Sequence, residues 1–181
     1  METRTIRYRR DLYQLLPDVS KAVCAELGVA EGFFASDILS WGVSKLYAID
    51  MWESSAHFPG DAGNPQNWHN ANYEATKKRL ERFGARAVIL RGPTVKMASL
   101  INEELDFVNV DACHAYPCVR ADIEAYWPKL KSGGIIAFHD FEARQYGVKK
   151  AVQEFAASKG VQFYLLPEDK LEDAGAYIVK P

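Results

Sequence analysis

The chain has 181 residues, 48% apolar and 25% charged, which predicts one soluble globular domain over residues 1–181. The net charge of −2 and the lack of an apolar run of roughly 18 residues argue against a nucleic-acid or membrane partner. Cys24, Cys113 and Cys118 have no framework spacing, so we expect free thiols and a cytoplasmic location.

Strand patterns and helical patterns alternate along the chain after an N-terminal helical extension, residues 1–18. The predicted strands are KAVCAELG, KLYAID, ARAVILRG, LDFVNVDA, IIAFHD, VQFYLLP and GAYIVK. The predicted helices are FFASDILSW, ANYEATKKRLERFG, VKMASLINEE, a segment opened by Pro117, and GVKKAVQEFAASKG.

This alternation predicts an α/β fold with a doubly wound, Rossmann-like sheet that is mostly parallel and covered on both faces. The last two strands have no helix between them, so an antiparallel strand must enter the sheet near its edge. The long irregular segment 51–70 follows the second strand. We therefore expect it at the carboxyl edge of the sheet, where ligands of such folds bind.

A glycine turn follows the first strand, and an acid ends the second. Glu26, Gly28 and Gly32 form the pattern E-x-G-x-x-x-G, and Asp50 comes 22 positions after Gly28. Glycine allows a ligand to approach the backbone closely, and a strand-end carboxylate can accept both hydrogen bonds of a ribose diol. Either feature alone could be only a turn or a strand cap, but together they favour a nucleoside-type ligand.

Four stretches resemble class I S-adenosylmethionine-dependent methyltransferases: ELGVAEGFFA, YAIDMW, LDFVNVDACHAY and VRADIEAYWPKLKSGGIIAFHDF. The nearest branch is the small metal-dependent O-methyltransferases, which include sugar, macrolide and catechol-type enzymes. The resemblance covers about 23–180 and implies a seven-stranded sheet with an antiparallel last strand.

The resemblance also implies how the cofactor S-adenosylmethionine binds. Gly28 and Gly32 would approach its methionine part with Glu26 beneath it, and Asp50 would hold the ribose. Trp52 would lie against the adenine, although core packing is nearly as good an interpretation of a loop tryptophan. Thr94 is the one candidate adenine contact after the third strand, because the acid common at that point is missing.

In metal-dependent relatives, an acid after the fourth strand and an adjacent pair after the fifth bind a divalent cation. Asp111, His139 and Asp140 match these positions, and magnesium or manganese suits such ligands. His114 matches a general base, which together with Asp111 makes up the predicted catalytic pair. The alternatives are a solvent-facing His114, a Cys113 nucleophile and a short zinc site.

These features predict an S-adenosylmethionine-dependent O-methyltransferase that acts on a hydroxyl of a small polyhydroxylated molecule, such as a sugar, polyketide or phenol. A protein that binds the cofactor without catalysis is the main alternative. A nicotinamide enzyme would require a third glycine and a substrate domain, and the sequence has neither. The sequence leaves the acceptor and homo-oligomer formation open.

Overall fold

The structure is a computed structural model that describes residues 6–55, 60–143, 147–166 and 174–181. Residues 56–59 of the segment expected to bind a ligand, His57 and Phe58 among them, lie outside these ranges, as do the first five residues of the N-terminal extension. Across the described ranges, no helix combines the length and the apolar character that a membrane span requires.

The centre of the fold is one seven-stranded sheet. Its strands are β1 Val23–Leu27, β2 Lys45–Asp50, β3 Ala87–Arg91, β4 Leu105–Val110, β5 Leu130–Phe138, β6 Phe163–Leu166 and β7 Gly175–Val179. The order across the sheet is β3-β2-β1-β4-β5-β7-β6. The pairs among β1 to β5 are parallel, and β7 is antiparallel to both β5 and β6. The predicted fold class, with its antiparallel last strand, is confirmed.

In the described ranges, five α-helices pack on the two faces of the sheet. They are α1 Phe33–Ser40, α2 Gln66–Leu80, α3 Thr94–Ala98, α4 Tyr116–Tyr126 and α5 Val148–Lys159. The predicted N-terminal helix is a 3₁₀ helix, Arg9–Leu15, which the fully buried Leu12 fixes to the core. As predicted, Pro117 lies in the first turn of α4.

Several element boundaries differ from the predicted ones. Helix α2 begins at Gln66, inside the segment predicted to be irregular, and a 3₁₀ turn continues it to Gly84, which adopts φ +56°. Strand β5 begins at Leu130, ahead of the predicted strand IIAFHD, and includes the preceding SGG stretch. A register shift between β4 and β5 accommodates those glycines as a bulge.

The sheet separates two apolar layers. One layer contains inward-facing residues of α4 and α5, such as Ile123, Tyr126 and Phe155. The other contains α1 residues such as Ile38 together with Leu12 of the N-terminal 3₁₀ helix. Because β1, β2, β4 and β5 are parallel, their carboxyl ends meet at one edge, and that edge carries the site.

Candidate active site

A cleft of about 970 Å³ opens at the carboxyl ends of the parallel strands. All but one of the sequence-predicted site residues line it: Glu26, Gly28, Asp50, Trp52, Thr94, Asp111, His114, His139 and Asp140. The exception is Gly32. The topology therefore brings together residues that are more than 100 positions apart in the chain.

The two glycines of the turn after β1 both have positive φ, but a side chain would meet different neighbours at each position. Gly28 has φ +85°, and a Cβ there would lie 2.0 Å from the backbone oxygen of Asp111. Gly32 has φ +78°, and a Cβ there would press on the Thr76 side chain of α2 at 3.1 Å. Gly32 thus turns the chain into α1 outside the cleft lining. Its predicted approach to a cofactor gains no support from this position.

Asp50 organises the loops on both sides of the cleft floor. Its Oδ2 accepts hydrogen bonds from the backbone nitrogens of Val29 at 2.8 Å and Ala30 at 2.9 Å, and its Oδ1 accepts from Trp52 N at 2.8 Å. A carboxylate oxygen has more than one lone pair, so these bonds leave capacity for ribose hydroxyls. Asp50 is therefore a structural anchor in addition to its predicted role as a ribose ligand.

Trp52 packs into the core, which is the alternative interpretation of this residue. Its side chain is only 1% exposed, its indole nitrogen donates to Ala30 O at 2.8 Å, and its ring centroid lies 5.0 Å from that of Tyr73. A ring held in this way borders the cleft but has little free face for stacking. The predicted adenine contact is the weakest of the predictions for the cleft.

The acids and histidines after β4 and β5 form one compact cluster. His139 Nδ1 lies 3.4 Å from both Asp111 Oδ1 and Asp140 Oδ2. His114 Nε2 lies 3.1 Å from Asp140 Oδ2 and 3.4 Å from Asp111 Oδ1. One ligand atom from each of Asp111, His139 and Asp140 falls within 4.8 Å of the other two. The cluster joins the predicted metal ligands and the predicted base.

The charged groups of this cluster shift the pKa values of their neighbours. Burial alone would raise the pKa of Asp111, but the His114 hydrogen bond and the charges of His139 and Arg9 outweigh it and hold the pKa at about 2. Burial alone would lower the pKa of His139, yet its hydrogen bond to Asp140 and the charge of Asp111 raise that pKa. A carboxylate at position 111 is thus ionised at neutral pH.

Arg9 reaches this cluster from the N-terminal 3₁₀ helix, and the sequence did not predict it. Its Nη1 donates to Asp111 Oδ2 at 2.7 Å, and its guanidinium carbon lies 4.2 Å from the centroid of the Phe34 ring. Arg9 also lines the cleft. The sequence offers no signal for this role, because Arg7 and Arg10 stand beside Arg9 in the same basic run.

Asp122 is a second residue missed from the sequence. Thr94 Oγ1 donates to Asp122 Oδ1 at 2.5 Å, and Tyr126 OH donates to Thr94 O at 2.8 Å. Burial raises the pKa of Asp122 to about 6, against the effect of the Thr94 bond. The signal was available: Asp122 stands at helical spacing between Val119 and Tyr126, on the apolar face of α4.

The structure corrects the expectation of free thiols. Cys113 and Cys118 form a disulfide at the cleft wall, and Cys24 is the free cysteine, buried beneath the sheet face. The turn between β4 and α4 brings the two Cα atoms to 5.8 Å, within disulfide range. A pair five residues apart has no framework spacing, so this bond could not be predicted from the sequence.

Backbone strain concentrates in this cleft. Among the described residues, three non-glycine residues have positive φ: Ala30 at 49°, Trp52 at 42° and Asp140 at 54°. All three line the cleft. Such conformations are costly and cluster at functional sites, where the surrounding structure enforces them. The strain points to the same location as the polar cluster.

A family model described as a methyltransferase domain matches residues 25–141, which is more than half of the chain. The chain belongs to this methyltransferase family. Among curated proteins, an uncharacterised protein, y4gI, of Sinorhizobium fredii is 25% identical over 130 residues. The match covers 67% of this chain and spans only 13% of the length of that relative.

Solved methyltransferase structures share the fold of this chain over nearly its whole length. The calicheamicin methyltransferase CalS11 has a TM-score of 0.70 at 19% identity, covering 93% of this chain and 75% of its own. A Bacillus cereus O-methyltransferase in complex with S-adenosylhomocysteine scores 0.67 at 16% identity, covering 94% and 78%. An rRNA methylase of Streptococcus thermophilus scores 0.65 at 16% identity, covering 99% and 98%. The family model thus confirms the expected methyltransferase family, and the solved structures confirm its fold.

The cleft of this methyltransferase fits S-adenosylmethionine. Glu26 is 2% exposed, and its Oε2 has no hydrogen-bond partner among the described residues, although Glu26 lines the cleft. Burial raises the pKa of Glu26 well above its usual range, and the Arg9 charge opposes this. Buried polar atoms are normally satisfied, so an unsatisfied carboxylate oxygen at a cleft wall indicates a polar ligand group or water there.

The cluster of the methyltransferase also fits a divalent cation. Two carboxylates and one imidazole, with ligand atoms within 4.8 Å of one another, form a mixed oxygen and nitrogen donor set. Arg9 and His139 already contact these carboxylates. The metal-ligand role of Asp111, His139 and Asp140 remains a prediction that this geometry supports.

Proposed function

We propose that this methyltransferase transfers a methyl group from S-adenosylmethionine to a hydroxyl oxygen of a small polyhydroxylated molecule, and that a divalent cation assists the reaction. The observation that carries the proposal is the convergence of Asp111, His114, His139 and Asp140 on one point of the cleft. A neutral hydroxyl is a poor nucleophile, and a histidine beside a cation-binding acid pair is suited to deprotonating it.

When bound, S-adenosylmethionine supplies the methyl group, and the cation supplies a positive charge that favours loss of the hydroxyl proton. Asp111, His139 and Asp140 would hold the cation. His114 accepts the proton, and Asp140 Oδ2, 3.1 Å from Nε2, orients the ring and stabilises the imidazolium. The hydroxyl oxygen forms a bond to the methyl carbon as the sulfur–carbon bond breaks, which leaves neutral S-adenosylhomocysteine and a protonated His114.

The charge of the site favours a small acceptor over RNA. The net charge is −2, and the cleft is lined by Glu26, Asp50, Asp111 and Asp140. Nucleic-acid binding draws on arrays of Lys and Arg that displace counterions, and this site would repel phosphates. The likeness to an rRNA methylase at 16% identity concerns the fold and does not extend to the acceptor.

Two measurements test the proposal. We expect calorimetry to detect S-adenosylhomocysteine binding, and methyl transfer to a panel of sugars, polyketides and phenols to rise when magnesium or manganese is added. His114→Ala should lower turnover by about 100-fold or more, with cofactor affinity near that of wild type. Transfer to an RNA oligonucleotide but to none of the small hydroxyl compounds would contradict the proposed acceptor class.

A further inference from the structure

Arg9 is held in place by the segment that carries it. The N-terminal 3₁₀ helix is fixed by Leu12, which is fully buried, and by the buried Leu16 that follows it. The Arg9 guanidinium lies over the Phe34 ring and contacts Asp111 Oδ2. A long side chain that is anchored on an aromatic face loses little further freedom when it binds a ligand, so Arg9 is suited to be a binding residue.

The surroundings of Arg9 combine opposite charges at one end of the cleft. Glu26 lies near the end of β1 and Asp111 directly follows the adjacent β4, and both line the cleft with Arg9. The charge of Arg9 acts on both carboxyl groups and lowers the pKa of each. Glu26 also has the carboxylate oxygen that lacks a partner among the described residues. A cation flanked by two acids is complementary to a ligand group that carries both charges.

S-adenosylmethionine has such a group, because its methionyl end carries an α-ammonium and an α-carboxylate. We propose that Arg9 binds the α-carboxylate of the cofactor while Glu26 faces the α-ammonium. A guanidinium presents several N–H donors in a planar fork, so the Asp111 contact through Nη1 is compatible with a carboxylate on the same group. The inference rests on S-adenosylmethionine as the cofactor and requires no metal.

The alternative is that Arg9 only neutralises Asp111. Both roles predict that its loss changes the site, so the binding of one ligand cannot separate them. A pair of ligands can: S-adenosylhomocysteine carries the α-carboxylate, and its decarboxylated analogue retains the amine but lacks the carboxylate. Only direct recognition makes Arg9 responsible for the difference in affinity between the two.

The experiment is calorimetric titration of both ligands, in the presence of a chelator, into wild type, Arg9→Gln and Arg10→Gln. Arg10 is an exposed neighbour in the same 3₁₀ helix, so its variant matches the charge change. We expect wild type and Arg10→Gln to prefer S-adenosylhomocysteine by roughly 10- to 150-fold, the range for hydrogen bonds to a charged group. Arg9→Gln should lose that preference and bind the decarboxylated analogue as wild type does.

Arg9→Lys serves as a second variant if Arg9→Gln fails to fold. It keeps the charge but loses the planar fork, so it should retain a reduced preference for the carboxylate. A preference that is unchanged in a folded Arg9 variant, or equal weakening of both ligands, would overturn the inference while leaving the proposed function intact. Failure of wild type to bind either adenosyl ligand would overturn the proposed function as well.

Discussion

Asp50 illustrates how one side chain can serve both the fold and the ligand. Three backbone nitrogens donate to its carboxylate, two from the turn after β1 and one from the turn after β2. The same carboxylate lines the cleft where a ribose is expected. Removing it should therefore affect stability and ligand binding together, and the two effects must be measured separately.

The first prediction is that Asp50→Ala weakens S-adenosylhomocysteine binding by roughly 1.5 to 3 kcal/mol, as for the loss of hydrogen bonds to a charged group. The variant should also melt at a lower temperature, because the backbone N–H groups of Val29, Ala30 and Trp52 lose their acceptor. Calorimetry and thermal melting measure the two effects, with the exposed Asp37→Ala as the control. Wild-type affinity in a folded Asp50→Ala protein would remove Asp50 from the ribose site.

The second prediction concerns how the stability of the protein depends on pH through Asp122. Burial raises its pKa to about 6 in the folded protein, so the folded state holds this proton to a higher pH than the unfolded chain does. Its stabilising effect is complete below pH 4 and is lost as pH rises through 6. The loss amounts to about 3 kcal/mol at most.

Asp122→Asn cannot titrate, and its amide oxygen can still accept the Thr94 hydrogen bond. We therefore expect the melting temperature of wild type to fall relative to that of Asp122→Asn between pH 4 and pH 7. Thermal melts of both proteins across this range measure the difference between their melting temperatures. The effects of other titrating groups are common to both proteins and cancel in this difference. A difference that does not change with pH would show that Asp122 stays ionised in the fold.

The positions of cleft residues could be predicted from the sequence where they lie at the end of a strand. Asp111, His139 and Asp140 directly follow β4 and β5, and Glu26 and Gly28 mark the end of β1. Arg9 could not be predicted because its contact with Asp111 spans 102 positions and has no periodic pattern. The Cys113–Cys118 disulfide depends on the shape of one short turn, which residue types alone do not specify.

At the scale of elements, the turn after β1 and the end of β4 are packed against each other. Gly28 N donates to Ile49 O, and Asp111 N donates to Leu27 O, so the backbone of each strand end is tied to its neighbour. The sequence predicted all seven strands, and the five parallel ones were clearest because buried parallel strands have apolar runs. It misplaced the start of α2 and the start of β5, since tertiary packing sets such boundaries.

The third prediction concerns this contact. Gly28→Ala places a Cβ 2.0 Å from Asp111 O and forces φ +85° on a non-glycine residue, so the turn must move away from β4. The conformational cost alone is about 1 to 2 kcal/mol, and the clash adds to it. We expect a lower melting temperature together with weaker S-adenosylhomocysteine binding. Gly63→Ala, where a Cβ meets open space, is the control; equal behaviour of the two variants would contradict the assigned contact.

At the scale of the molecule, the sheet order brings charged side chains from distant parts of the chain into one cluster. Strand β4 lies between β1 and β5, so Asp111 sits between the glycine turn and the His139–Asp140 pair. The N-terminal 3₁₀ helix adds Arg9 to this cluster, where it donates to Asp111. Asp111 thus has a cationic partner within the chain, and a bound metal would replace some of these contacts.

The last prediction is that magnesium or manganese raises the melting temperature of wild type, with a gain that grows with cation concentration. Mass action sets the size at about 2.7 kcal/mol when the cation is present at 100 times its dissociation constant. Asp140→Asn should abolish the gain, because it removes a ligand charge while asparagine tolerates the positive φ at this position.

Glu142→Gln is the matched control, since Glu142 is exposed and pairs with Lys149. The metal-free Asp140→Asn protein should be no more stable than wild type, because Asp140 already accepts a contact from His114. A cation-dependent gain that persists in Asp140→Asn, or full methyl transfer by chelator-treated wild type, would leave His114 to act as the base without a metal.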